Sequence, residues 1–480
     1  MSVPEPPAEE SPADPSPAKA PEAPLDRRFR LAVGLCFALA LILRVYFVRV
    51  VQPPGEALVS DMLRYFNEAA DLVLGRPETP LTAVCKPPGA TWFFAAQMKL
   101  FGMKAYHPMA LVHALLGAGA TVFTMLAARR IFRAPGLTGP LAAGIAVALW
   151  QPLFVFTGYF STEVPFAFLL TLSLWLWIRF LQTGKGAFAA GLVSAVAYPL
   201  RPQIALSVAL VAVLCLLTYK RHAWLGLRRA ALFVAPFALI VVVCALRFHS
   251  ITGAWGLISN NNAVMSFFAQ TNYQGVLTVL ANPTPGGPTA AGFQPPPRTA
   301  SEGFDPPFKI EGQHCDPAPL NEEKRRVLAR TSLLDRVTRI GRNITYLAYR
   351  NPLWPESVRA TSGLRRAFLI AGRYAGSYLL VPLSLAGLAL LAFRKNLGLE
   401  LAAMHVLAML YAAAFYFGEQ RYRVPYDPVL ILFAVYALLV AFKVEPKPEG
   451  EAPKPWVKYG VLGGIGALVL LEIVSWAARA

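Results

Sequence analysis

The sequence predicts an all-α polytopic membrane protein, and three observations carry that expectation. Of its 480 residues, 56% are hydrophobic and only 15% charged, with a mean hydropathy of +0.47, which is too apolar for a soluble chain of this length. Apolar runs close to the roughly 20 residues that a helix needs to cross a bilayer recur along the chain. When these runs alternate from a cytoplasmic start, every basic cluster expected inside falls inside.

The first 25 residues are Pro, Ala and Glu in low-complexity order and cannot bury enough apolar area to offset the entropy of ordering, so 1–28 reads as a disordered cytoplasmic tail. Leu31 to Val51 follows Arg27, Arg28 and Arg30, lacks a small-residue cleavage site and reads as a spanning helix, not a removed signal. Further crossings are expected at about 107–128, 138–157, 162–181, 184–199, 202–219, 230–248, 371–393, 397–417, 424–442 and 457–476, about 11 in all. The inside loops then hold Arg129-Arg130, Lys185, Lys220-Arg221 with Arg228-Arg229, Arg394-Lys395, and Lys443 through Lys458. Ala90 to Phe101 is short and carries Gln97 and Lys99. Counting it as a crossing would invert all later loops, so it reads as a partly embedded interfacial helix.

The domain reading follows: a transmembrane module over 29–248 that includes a first outer loop, 52–106; an outer region, 249–370; and C-terminal crossings over 371–480. In the first loop, Leu63, Phe66, Ala70 and Val73 share a helical face opposite Arg64, Asn67, Glu68 and Asp71. That pattern predicts a helix lying on the membrane surface, starting at Asp61 and stopping near Gly75 and Pro77. In the second, Asn282 to Pro307 is Pro- and Gly-rich and irregular, whereas Asn321 to Tyr349 has helical spacing with Asn321 as N-cap. Asn343-Ile344-Thr345 matches a glycosylation acceptor but lies inside that helix.

The formal charge of +18 fits Lys and Arg in short cytoplasmic loops and beside lipid phosphates. No basic patch sits on a recognisable nucleic-acid-binding domain, so nucleic acid is excluded as a partner. Five cysteines show no metal-ligand spacing; Cys36, Cys215 and Cys244 lie in apolar runs, and Cys85 and Cys315 fall outside, where they could bridge the two loops.

The outer face gathers the chemistry. A membrane enzyme facing away from the nucleotide pool could use a sugar already activated on a lipid carrier, such as a polyprenyl phosphate, which arrives laterally through the bilayer. Its leaving group is a phosphate, so expelling it takes positive charge more than a proton donor, and one carboxylate suffices as base on the acceptor hydroxyl. Asp61, directly after the first crossing, is the candidate base; an ordinary N-cap is the alternative. Lys86 reads as a cation near it or a solvated loop lysine. Glu163, at the outer end of a crossing, reads as an orienting group for acceptor or basic partner, or as a solvated carboxylate. Arg201, in Tyr198-Pro199-Leu200-Arg201-Pro202, interrupts an apolar stretch too long for one crossing, where a guanidinium meets lipid phosphate or snorkels to headgroups. Glu419, Arg421, Tyr422 and Arg423 precede the tenth crossing and read as phosphate-binding or as an aromatic and basic belt.

The order Ser60-Asp61, Tyr65, Ala69-Ala70, Gly75, Lys86-Pro87-Pro88-Gly89 and Phe101-Gly102 resembles the first extracytoplasmic loop of GT-C superfamily glycosyltransferases, in the branch of protein O-mannosyltransferases and bacterial aminoarabinose transferases. Thr162-Glu163, Arg201-Pro202, Asn351-Pro352 and Arg421-Tyr422-Arg423-Val424-Pro425 agree, so the resemblance runs over about 31–442. It implies a GT-C-like, inverting transferase in the bacterial inner membrane that moves sugar from a polyprenyl phosphate to a hydroxyl of a glycan, lipid or protein. Asp61 would be the base, and basic residues would hold the phosphate. Many relatives carry Glu after the loop Asp where this chain has Met62, which argues for a one-carboxylate base. No cofactor is required by this reading, and a divalent metal is left open. Two other functions stay open: a transporter or flippase of lipid-linked saccharides, and a glycan ligase or polymerase using a pyrophosphate-linked donor.

Overall fold

The computed structural model describes residues 26–54, 61–78, 86–259, 317–349, 374–416 and 418–445, together with positions 58, 266, 371 and 372. The N-terminal tail, the Pro-rich stretch, Cys85, Cys315 and the crossing expected at 457–476 lie outside the described residues.

Every regular element among them is helical. In chain order these are α1 (Arg27–Tyr46, continued by a wide turn Phe47–Val51), α2 (Asp61–Val73), α3 (Gly89–Phe101), α4 (Tyr106–Ile131), α5 (Thr138–Leu149) and α6 (Gln151–Val155). Then come α7 (Glu163–Thr183), α8 (Ala187–Ala197), α9 (Ile204–Thr218), α10 (Ala223–Thr252), α11 (Pro317–Ala329) and α12 (Leu333–Tyr349). The last are α13 (Val381–Leu390, preceded by a wide turn Ala375–Leu380), α14 (Leu397–Phe415), α15 (Gln420–Arg423) and α16 (Asp427–Ala441).

Six helices among the described residues are long and apolar enough to cross a membrane, and a seventh span is made by α5 with Gln151–Gly158, bent by 47°. Three shorter apolar helices, Ala187–Ala197, Ile204–Thr218 and Ala375–Leu390, fall where the sequence places further crossings. The chain is thus an integral membrane protein. Its helices pack through small residues, which let backbones approach where lipid supplies no hydrophobic drive. A Cβ on Gly191 of α8, for example, would lie 1.9 Å from the Phe233 carbonyl oxygen of α10. Polar side chains add cross-links: Ser207 Oγ donates to Met404 O at 3.3 Å, and Asn396 Nδ2 to Ile131 O at 2.8 Å.

Two expectations are corrected. The packed face of α2 is centred on Met62, Tyr65, Phe66 and Ala69, with Ala70 and Val73 packed at its edge; of the four residues expected on it, Leu63 is the exposed one. The helix is apolar over a wide arc, and contact with α3 selects the side that meets Ala90, Phe94, Ala95 and Met98. The Asn321 to Tyr349 segment is two helices, not one, and Asn321 lies inside the first, Pro317–Ala329, and not at its N-cap. The second begins at a reciprocal cap in which the Asp335 amide donates to Ser332 Oγ at 3.1 Å and the Ser332 amide to Asp335 Oδ2 at 3.2 Å. Ser-x-x-Asp was the legible signal for that break.

Candidate functional site

Five charged side chains that the sequence reading drew from distant segments meet at one end of the bundle. Asp61 opens α2, and its carboxylate is held on both oxygens: Lys86 Nζ pairs with Oδ1, and Arg421 Nη1 donates to Oδ2 at 2.9 Å. Arg421 Nε donates to Glu163 Oε1 at 2.7 Å, and Arg201 Nη2 donates to the same oxygen at 2.7 Å. Arg201 Nε also donates to Thr162 Oγ1 at 3.1 Å. The chain of contacts therefore runs Lys86, Asp61, Arg421, Glu163, Arg201. The carboxylate of Glu163 is 1% exposed and that of Asp61 31% exposed, so the open end of the array is the Asp61 end.

Local sequence explains each placement. Lys86-Pro87-Pro88-Gly89 starts α3 with a glycine because a Cβ there would lie 2.4 Å from the Pro199 carbonyl carbon, and the Gly89 amide donates to Pro199 O at 2.9 Å. That contact docks the Lys86 turn onto the Pro-bounded turn carrying Arg201. Thr91 Oγ1 donates to Glu68 Oε2 at 3.1 Å and ties α3 to α2. Arg421 sits on the one-turn α15, which Gln420 anchors by donating Nε2 to Ala348 O at 2.6 Å and to Ser377 Oγ at 3.0 Å.

Aromatic faces line the cations. Lys86 Nζ lies 4.6 Å from the Tyr65 ring centre, and Arg201 and Arg421 lie 5.4 and 5.9 Å from the Tyr422 ring, arrangements that favour positive charge. Burial by itself pushes the Asp61 carboxyl upward, but the Lys86 ammonium and Arg421 guanidinium outweigh it and hold the group well below the usual carboxylate range. Burial draws the Lys86 ammonium down, against the pull of Asp61.

Of the residues that the sequence nominates, Asp61, Lys86, Glu163, Arg201 and Arg421 form the cluster, with Tyr422 between the two arginines. Arg423 goes elsewhere. Its Nε donates to Asp427 Oδ1 at 2.9 Å and its Nη1 to Leu347 O at 3.1 Å, while Trp150 Nε1 donates to Asp427 Oδ2 at 2.7 Å. Arg421 and Arg423 lie about 200° apart on a helical turn, so one faces the cluster and the other the core. Glu419 precedes α15 and accepts the Tyr422 amide on its backbone carbonyl at 3.0 Å. Gln420, Trp150 and Asp427 are not singled out by the sequence, and Thr162 enters only within the Thr162-Glu163 motif, because a neutral or single buried polar residue carries no signal until its partner is in place. Among the described residues, no three His, Cys, Asp or Glu side chains gather as a metal site.

Residues 85–248 match the family model described as dolichyl-phosphate-mannose-protein mannosyltransferase. An uncharacterized protein of Aquifex aeolicus is 32% identical over 163 residues, which cover 31% of this chain and 30% of that protein. Among solved structures, the archaeal oligosaccharyltransferase AglB from Archaeoglobus fulgidus, in complex with an inhibitory peptide and a dolichol-phosphate, is 12% identical with a TM-score of 0.48, over 93% of this chain and 55% of that one. ArnT from Cupriavidus metallidurans, bound to undecaprenyl phosphate, is 16% identical with a TM-score of 0.34, over 84% of this chain and 77% of that one. The chain thus spans about half the length of the oligosaccharyltransferase and less than a third of the Aquifex protein. The stretch that carries Lys86, Glu163 and Arg201, residues 85–248, is thus similar to the protein mannosyltransferase family.

Proposed function

We propose that the protein is a bacterial inner-membrane glycosyltransferase that moves a sugar from a polyprenyl-phosphate carrier to an acceptor hydroxyl on the periplasmic side, with inversion at the anomeric carbon. The observation that carries this reading is one partly exposed carboxylate, Asp61, at the open end of an array holding three cations, Lys86, Arg421 and Arg201. The family description over 85–248 names a sugar on a polyprenyl phosphate, which is the donor chemistry such an array suits.

The reaction follows from the charges. Asp61 takes the proton of the acceptor hydroxyl as its oxygen attacks the anomeric carbon, and the bond from that carbon to the phosphate oxygen breaks. The electron pair leaves on polyprenyl phosphate, whose added negative charge Lys86, Arg421 and Arg201 stabilise in a site screened from water. Both Asp61 oxygens are occupied at rest. A donor phosphate competes for Lys86 and Arg421, and their withdrawal frees the carboxylate to act as base, so donor binds before acceptor. Glu163 keeps Arg421 and Arg201 side by side and acts through them.

Positive charge comes from side chains, so this reading requires no resident cofactor; transfer assayed with and without a chelator tests it. The central test is Asp61→Asn, assayed with labelled polyprenyl-phosphate sugar on detergent-solubilised protein, where transport has no meaning. Loss of transfer with retained polyprenyl-phosphate binding is expected. Full activity in that variant would remove Asp61 as the base, and label accepted only from a pyrophosphate carrier would favour a ligase instead.

A further inference from the structure

α12 carries a single apolar stripe: Leu333, Val337, Ile340, Ile344 and Leu347 recur at three- and four-residue intervals and so share one face. The two ends of that stripe meet different surroundings. At its C-terminal end Leu347 and Ala348 are buried, and α12 clasps the bundle through backbone and side chain. Leu347 O accepts from Arg423 and Ala348 O from Gln420, while Asn343 Nδ2 donates to Ala414 O at 3.5 Å. At its N-terminal end the same face runs past the bundle, with Leu333 76% and Val337 57% exposed. The other faces carry Arg336, Arg339 and Arg342 against one acid, Asp335.

The level at which this overhang leaves the bundle is marked independently. Asn343 sits against the C-terminal end of α14, where Tyr411 and Phe415 are exposed and Tyr411 packs against Phe415 and Tyr416 with ring centres 5.1 and 5.9 Å apart. Tyr374 and Tyr378, stacked at 5.7 Å, are exposed on the segment whose Ser377 joins Ala348 and Gln420. Exposed aromatics at the end of an apolar span mark the boundary between hydrocarbon and headgroups. Leu333 and Val337 lie some 15–20 Å further along the helix than Leu347, on the same face.

We propose that the N-terminal half of α12 is a membrane-surface anchor: Leu333 and Val337 enter the acyl boundary of the leaflet on the Asp61 side, and Arg336, Arg339 and Arg342 meet its phosphate headgroups. The partner is the phospholipid surface. An exposed apolar stripe flanked by arginines is the pattern of an interfacial helix, held by buried apolar area and by attraction to phosphate. The anchor continues directly into the backbone carbonyls that grip Gln420 and Arg423 on either side of Arg421, so lipid contact braces the turn that presents Arg421 to Asp61.

The experiment places a spin label at Val337→Cys and, on the other face, at Thr338→Cys, in full-length protein carrying Cys85→Ser and Cys315→Ser. The remaining cysteines, Cys36, Cys215 and Cys244, are buried. In phosphatidylcholine/phosphatidylglycerol nanodiscs, the ratio of relaxation by oxygen to relaxation by a water-soluble nickel chelate is expected to be several-fold higher at 337 than at 338. Leu333→Cys is a second reporter with the same expectation, should the label at 337 disturb the fold. Equal ratios, with the chelate reaching 337 freely, would show a water-facing helix and overturn the proposal. Shielding of 337 from both reagents would mean that protein covers the stripe, from this chain or a second copy, and would overturn it equally.

Discussion

Glu163 is the residue whose removal the structure makes most consequential, because one buried oxygen, Oε1, accepts from both Arg421 and Arg201 at 2.7 Å. In Glu163→Ala two guanidinium groups lose their shared counter-charge in a site closed to water, and breaking a buried pair in that way costs about 3–5 kcal/mol. Glu163→Gln keeps an acceptor oxygen but turns two charge-assisted hydrogen bonds into neutral ones, at about 1 kcal/mol each, or about 2 kcal/mol in all. The shorter Glu163→Asp, which cannot reach both arginines at once, falls between them. The assay is thermal inactivation of purified protein in lipid nanodiscs, with KM for the polyprenyl-phosphate donor measured on the surviving fraction. The expected order of stability is wild type, Gln, Asp, Ala, with donor KM rising in the same order as Arg421 loosens. A Glu163→Ala protein with wild-type inactivation and wild-type donor KM would refute the bridging role and, with it, the argument that Arg421 is preset for phosphate.

Further outcomes follow from the same contacts. Because Lys86 and Arg421 hold Asp61 below the usual carboxylate range against burial, Lys86→Met leaves burial less opposed and raises the carboxyl; the acid limb of the pH–rate profile is expected to move to higher pH. The linkage has the same sign for stability: a depressed carboxyl stabilises above its unfolded value and loses that contribution as pH falls through the folded one, so the variant loses it at higher pH than wild type. An unmoved acid limb and acid-stability midpoint would show that Lys86 does not control Asp61. Arg423→Met leaves Asp427 with Trp150 alone and is expected to cost about 3–5 kcal/mol in stability, with donor KM unchanged in the folded fraction because Arg423 faces away from the cluster; a KM effect without destabilisation would reverse that assignment. Gly89→Ala drives a Cβ onto the Pro199 backbone, an overpacking worth about 1–3 kcal/mol, and is expected to lower thermal stability and raise donor KM together. Wild-type values for both would mean that the Gly89 contact does not set the position of Lys86.

The charged cluster was largely legible from residue type and depth. Asp61, Glu163, Arg201 and Arg421 are each costly to hold at a membrane boundary, and an ionisable side chain there is a functional hypothesis before any contact is seen. What could not be read was their pairing: whether Glu163 faced solvent or two arginines, and which of Arg421 and Arg423 turned inward. Two residues apart on one helical turn, those arginines are equivalent in composition and opposite in direction. The α2 face went astray for a related reason, since a helix apolar on more than half its circumference leaves the choice of buried side to its neighbour.

Hydropathy acts along the chain and needs no partner, so membrane residence and the helical class were determined before folding entered. The number of helices that span is less fixed by that term, because short apolar helices such as Ala187–Ala197 take their place from packing. Only the tertiary structure decided that the Gly89–Pro199 contact would dock the Lys86 turn onto the turn carrying Arg201, that one glutamate would bridge two arginines, and that Arg423 would serve the core. Each depends on atoms far apart in sequence meeting within about 3 Å, a distance that no pattern along the chain encodes.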